Sequence, residues 1–147
     1  MKENVDTYVL PENSNVFLAE VLPASNPLRI TWEVLTVEEK AGYLSAALQK
    51  IENLNFIGDK AFFFQPLKFP RIARGLPVNF EKTPLEVKRA QVLWAADIMR
   101  EELYLGRRNK EACVALGLLE EPLSETASIE HKVKELLHRW MSSWRVI

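Results

Sequence analysis

The chain has 147 residues, of which 48% are hydrophobic and 27% charged, and a formal net charge of −1. This suits a single domain, 1–147, able to bury a core, and shows no internal repeat or low-complexity tract. The charge balance speaks against a dedicated nucleic-acid binder, and the single cysteine, Cys113, excludes an internal disulfide or a cysteine-rich zinc site.

Residues 1–10 read as polar and then extended. No apolar region follows Met1 to Asp6 to make them a signal peptide, and no later run is long enough to span a membrane. A cytoplasmic protein without a membrane partner is expected. Pro11 predicts the start of a short helix, because proline lacks the N–H that a first turn leaves unpaired. Val16, Phe17, Ala19 and Val21 give it an apolar side. Pro23 and Pro27 then predict a loop over 22–35, anchored by Trp32.

Thr36 and Glu39 form a capping box for the next helix. Val37, Ala41, Leu44, Leu48 and Ile51 recur on one face of it, and an end near Asn53 to Asn55 precedes Gly58. Residues 56–82 hold Phe56, Phe62, Phe63, Phe64, Phe69 and Phe80 with three prolines. They read as a long ordered loop pinned by aromatics, not as a strand pair; loops of this length are usually functional or disordered, and the aromatics oppose disorder.

Thr83, Pro84 and Glu86 predict a second capping box and a third helix. Val87, Ala90, Trp94, Ile98 and Leu105 form one stripe. Leu85, Val92, Ala96, Met99 and Leu103 form another nearly opposite, so the helix is buried on two sides, inside the monomer or at a subunit contact. Gly106 to Lys110 mark a polar turn. Residues 111–127 are ambiguous, with Pro122 ending whatever forms there. A last helix is expected from Ser128, with Ile129, Val133, Leu136, Leu137, Trp140 and Trp144 on one face and a Glu130–Lys134 pair. The tail 143–147 is apolar enough to dock on something. The fold expected is mainly α: a small bundle of about four helices with a long ordered aromatic and proline loop and extended termini.

Catalytic chemistry is hard to find. His131 and His138 lack the partners of a metal site and read as surface or boundary residues, and Cys113 reads as a small buried apolar residue. The pairs Glu38–Glu39, Glu101–Glu102 and Glu120–Glu121 diverge on a helix and read as solvated charge. No phosphate loop or dinucleotide fingerprint is present among five glycines. No enzyme, metal or cofactor is expected. The basic residues Lys68, Arg71, Arg74, Lys82, Lys88 and Arg89 surround the aromatic loop. A single-stranded-DNA surface over 62–89, with bases on Phe62 to Phe64, is the alternative reading; core phenylalanines rimmed by solvated cations or subunit contacts are expected instead, because consecutive phenylalanines are costly to expose.

The run Gln65-Pro66-Leu67-Lys68-Phe69-Pro70-Arg71, followed by Pro84 to Ala90, resembles the head–tail adaptor proteins of long-tailed bacteriophages. Trp32, Thr36 to Lys40, Phe56 to Lys60 and Val133 to Leu137 extend the resemblance over most of the chain. It departs at Phe56, where the family has tryptophan, at 61–64, and at 112–127. The resemblance implies a virion structural protein at the head–tail interface, assembled in a host cytoplasm. Its partners would be a portal protein, neighbouring copies in a dodecameric ring, a neck or tail-completion protein, and DNA passing through without sequence-specific binding. On this reading Phe69, Arg71, Arg74, Trp144, Arg145, Val146 and Ile147 meet the portal or a neighbouring subunit, and Lys68, Lys82, Lys88 and Arg89 lie near DNA. Some relatives carry a single-stranded-DNA-binding description, which a net charge of −1 does not support.

Overall fold

Thr36 caps the first long helix from both directions. Its hydroxyl accepts the Glu39 N–H at 3.1 Å, and the Glu39 carboxylate accepts the Thr36 N–H at 2.9 Å. In the computed structural model, which describes residues 7–60, 65–72, 83–106 and 122–141, this is helix α3, Val37–Glu52. Its buried stripe is Lys40, Leu44, Ala47, Leu48 and Ile51. Val37 is 57% exposed, and Ala41 is exposed too, so the stripe is rotated from the one expected. Buried Lys40 keeps its charge satisfied by donating to Asn15 Oδ1 at 3.1 Å.

Ahead of it, a 3₁₀ turn, Pro11–Asn13, runs directly into α1, Ser14–Ala19. The expected loop over 22–35 contains a further helix, α2, Pro27–Glu33. Pro27 does not stop a helix here but begins one: Asn26 caps it by accepting the Leu28 N–H at 2.8 Å, and the missing proline N–H costs nothing in a first turn. Trp32 is fully buried as expected, with its indole N–H donating to Ser14 Oγ at 3.1 Å.

The central element is α4, Leu85–Gly106. Residues 90–97 are buried without a break, and α4 packs chiefly against α3 and against α5, Pro122–Leu137. Its two-sided pattern therefore reflects the centre of the monomer. Gln91 is held inside by donating to Leu44 O and Thr7 Oγ1, both at 2.9 Å. Asp97 and Arg100 form a buried ion pair at 2.9 Å; burial raises the Asp97 pKa against the opposing pull of Arg100.

Pro122 opens α5 where a break was expected, again in the first-turn position that suits it. Ile129, Val133, Leu137 and Trp140 are buried, with Leu136 half-buried, and a 3₁₀ turn, His138–Trp140, closes the helix. His131 is exposed and pairs with Glu135 at 3.0 Å, and His138 is exposed. The aromatic loop carries a minimal strand pair that the sequence reading had rejected: β1, Asp59–Lys60, and β2, Arg71–Ile72, antiparallel with Asp59 opposite Ile72. Residues 1–6, 61–64, 73–82, 107–121 and 142–147 lie outside the described set; these hold the start of the expected extended segment, Phe62 to Phe64, Arg74, Lys82, Cys113 and the docking tail with Trp144, Arg145, Val146 and Ile147.

Candidate functional site

The segment 65–72 turns inward. Phe69 is 3% exposed and sits edge-on to Phe56, Trp140 and Tyr8, with ring centroids 4.8, 5.2 and 6.0 Å away. It is a core residue, not one presented to a neighbour. Gln65 Nε2 donates to Leu67 O at 2.8 Å and Pro70 O at 2.9 Å, folding the segment on itself. Arg71 gathers four backbone carbonyls: Ile57 O at 2.9 Å, Lys68 O at 3.1 Å, Phe56 O at 3.4 Å and Gly58 O at 2.7 Å. Gly58 has φ 78°, a left-handed conformation that a side chain would strain. Burial lowers the Arg71 pKa, against the attraction of Asp59, Tyr8 and Glu52.

Lys68 is also committed to the fold. Its ammonium donates to Leu54 O at 2.7 Å and its N–H to Glu52 Oε1 at 3.1 Å. The same Glu52 carboxylate accepts the Tyr8 hydroxyl proton, and Tyr8 Oη accepts the Phe69 N–H at 3.1 Å. Burial first, then the Glu52 carboxylate, pushes the Tyr8 phenol well above its usual range. At the other side of the corner, Ile57 N–H donates to Trp140 O at 2.8 Å.

A cleft opens next to this corner. Two adjoining cavities share Phe17 of α1 and Lys88 of α4. The larger, about 420 Å³, is walled by Pro70, Arg71, Thr83, Pro84, Glu86 and Arg139. The smaller, about 260 Å³, is walled by Thr7, Tyr8, Leu10 and Asn13. Lys88 lies with its ammonium 5.6 Å from the Phe17 ring centroid, and Phe17 is half-buried. The positive end of the α4 dipole faces the larger cavity through Thr83 to Glu86.

The cations around the cleft differ in what they already do. Arg71 serves the loop carbonyls, and Arg89 pairs with Glu20 at 2.7 Å. Arg139 pairs with Glu86 at 2.7 Å, and the same carboxylate oxygen accepts the Trp140 indole N–H at 2.8 Å. Expected as half of a capping box, this oxygen of Glu86 instead ties α4 to the end of the last helix. Burial opposes the charge on Glu86, but hydrogen bonds from Arg139, its own backbone and Trp140 outweigh it and lower its pKa. Among the described residues, no carboxylate pairs with Lys88. Lys88 and Arg89 were singled out from the sequence; Phe17, the aromatic that Lys88 meets, was read only as one apolar position of a short helix.

Charge is segregated along α4. Near its other end a cavity of about 570 Å³ is walled by Glu38, Glu39, Glu101 and Glu102 around Tyr43 and Ile98. Burial, then hydrogen bonding to Glu102, pushes the Tyr43 phenol up to about 12. Lys88 and Glu101 are 13 residues apart, about 20 Å along the helix. Glu101 and Glu102 stand short of the last turn and the first turn carries Glu86, so the helix dipole does not explain this arrangement. A net charge of −1 hides an acidic face and a separate cationic cleft.

A family model described as "Putative DnaT-like ssDNA binding protein" matches residues 2–134, and the chain belongs to that family. No curated protein and no solved structure matches. The family match overturns the resemblance to phage head–tail adaptors, and the portal, ring and neck partners that rested on it lose their support. The structure explains why the run 65–71 misled: Gln65, Phe69 and Arg71 are engaged in folding the corner, and residues that make a corner carry no information about a partner.

Proposed function

We infer that this member of the DnaT-like family is a single-stranded-DNA-binding module and not an enzyme, and that the strand lies along the joined cavities at Lys88 and Phe17. The family description supports the ligand class. The observation that carries the location is the pairing of a half-buried aromatic ring with an ammonium that no carboxylate neutralises among the described residues. Single strands expose the faces of their bases, and aromatic stacking beside a cationic groove is how proteins hold them without reading sequence. Arg71 and Arg139 add charge along the larger cavity while remaining bonded to the protein. The four glutamates around Tyr43 repel phosphate and direct the strand away from the other end of α4.

The test is titration of a fluorescently labelled oligothymidylate of about 15 nucleotides, long enough for one site, with the protein and with Lys88→Glu. Binding by the parent, weakened at least tenfold in Lys88→Glu with an unchanged melting temperature, supports the reading. Equal affinity for the two proteins contradicts the location, and no binding by the parent contradicts the function.

A further inference from the structure

We propose that the smaller cavity receives one unstacked nucleobase of the bound strand, with Phe17 as its stacking face and the Asn13 side-chain amide bonded to its edge. This rests on the single-strand reading above and specifies what that site recognises.

Asn13 is the residue that needs explaining. It stands immediately before α1, where an asparagine side chain ordinarily accepts a backbone N–H, yet it makes no such bond. The 3₁₀ turn runs straight into α1, so the backbone there finds its own partners: Asn13 N–H donates to Leu10 O at 2.9 Å, and the Ser14 N–H is bonded to Pro11 O. The Asn13 side chain is exposed, and among the described residues it has no hydrogen-bond partner. Asparagine is a poor choice inside a continuous helical run, so local structure gives no reason for it.

Its surroundings do. The other uncharged polar walls are occupied: Thr7 Oγ1 accepts Gln91 Nε2 at 2.9 Å and donates to Val9 O at 3.1 Å, and Tyr8 Oη donates to Glu52 and accepts the Phe69 N–H. That leaves the Asn13 amide, with donors and an acceptor on one short side chain, which is the complement a base edge requires. At about 260 Å³ the cavity falls below the range of pockets for drug-sized ligands, and suits one ring system better than a stack. Lys88 lines the same cavity and reaches over Phe17, close enough for the phosphate of the same nucleotide.

The experiment compares fluorescence anisotropy for oligoadenylate, oligothymidylate and an abasic oligonucleotide of the same phosphate count. It uses the full chain and its Asn13→Ala, Phe17→Ala and Phe17→Tyr variants. The proposal predicts that the parent binds the abasic strand at least about fivefold more weakly than either homopolymer, the smallest effect expected for one lost stack. Phe17→Ala lowers homopolymer binding towards the abasic level and leaves abasic binding unchanged. Phe17→Tyr restores the base-dependent part, which separates loss of the ring from loss of the fold. Asn13→Ala weakens homopolymer binding and leaves abasic binding unchanged. Equal binding of abasic and base-bearing strands by the parent overturns the base pocket while the single-strand reading survives. Binding of none of the three overturns both. Adenosine monophosphate is the last arm: affinity equal to that of the oligonucleotide overturns the assignment to a strand.

Discussion

The Lys88 ammonium stands 5.6 Å from the centre of the Phe17 ring, joining α4 to α1 across 71 residues of sequence. The two side chains are common to both cavities of the cleft. A ring and a charge in this relation meet the two features every single strand offers, a base face and a phosphate.

The salt dependence follows from the cations that line the cleft. Arg71, Lys88 and Arg139 are on its walls, so a strand releases about two or three counterions. The slope of log K against log salt is then about −1.4 to −2, shallow for a nucleic-acid binder. Lys88→Ala reduces its magnitude by about 0.7, measured by anisotropy over a salt series.

Glu86 gives stability and binding opposite signs. Its folded pKa is depressed, so its contribution to stability is present above the ordinary carboxylate value of 4.5 and disappears as pH falls through the lower folded value. Glu86→Gln removes that acid-dependent part, seen as a flatter midpoint-against-pH curve between about pH 5 and 3 in urea melts. The same substitution takes a negative charge out of the cleft and releases Arg139, so the oligonucleotide is bound more tightly, by about 0.5 kcal/mol at low salt.

Phe69→Ala empties a site ringed by three aromatics and destabilises the fold by about 3–5 kcal/mol in denaturant titration. A surface-presented phenylalanine would show almost no change.

Arg71→Lys keeps the charge but cannot serve carbonyls spread from Phe56 to Lys68 with one compact ammonium. Leaving one or more of them unsatisfied costs about 1–3 kcal/mol. Hydrogen exchange at the amide of Ile57, which is bonded to Trp140 O in the same corner, quickens in this variant.

Helix α3 was legible because its signal is local: Thr36 and Glu39 are three residues apart and cap each other. The two-sided stripe of α4 was legible for the same reason through its middle, where residues 90–97 are buried, but its end members Leu85 and Leu103 are exposed. Pro27 and Pro122 were misread because a proline that ends one segment and a proline that begins the next look alike until the cap is seen; Asn26 supplied it for α2. The strand pair of Asp59–Lys60 with Arg71–Ile72 is too short to show an alternating pattern. The cleft was the least legible part. Lys88 was recognisable as a cation near aromatics, but its aromatic was assumed to be in the loop beside it, and Phe17 comes close only through the packing of α1 on α4. A summed charge of −1 had the same defect, since it averages the face at Glu101 and Glu102 with the cleft at Lys88.

Amide chemical-shift mapping of the full chain with oligothymidylate tests the central claim most directly. The account predicts that shifts concentrate at Asn13, Phe17, Leu85 and Lys88, with Glu38, Glu39, Glu101 and Glu102 unmoved. Shifts centred on those glutamates, or none at saturating oligonucleotide, would contradict it.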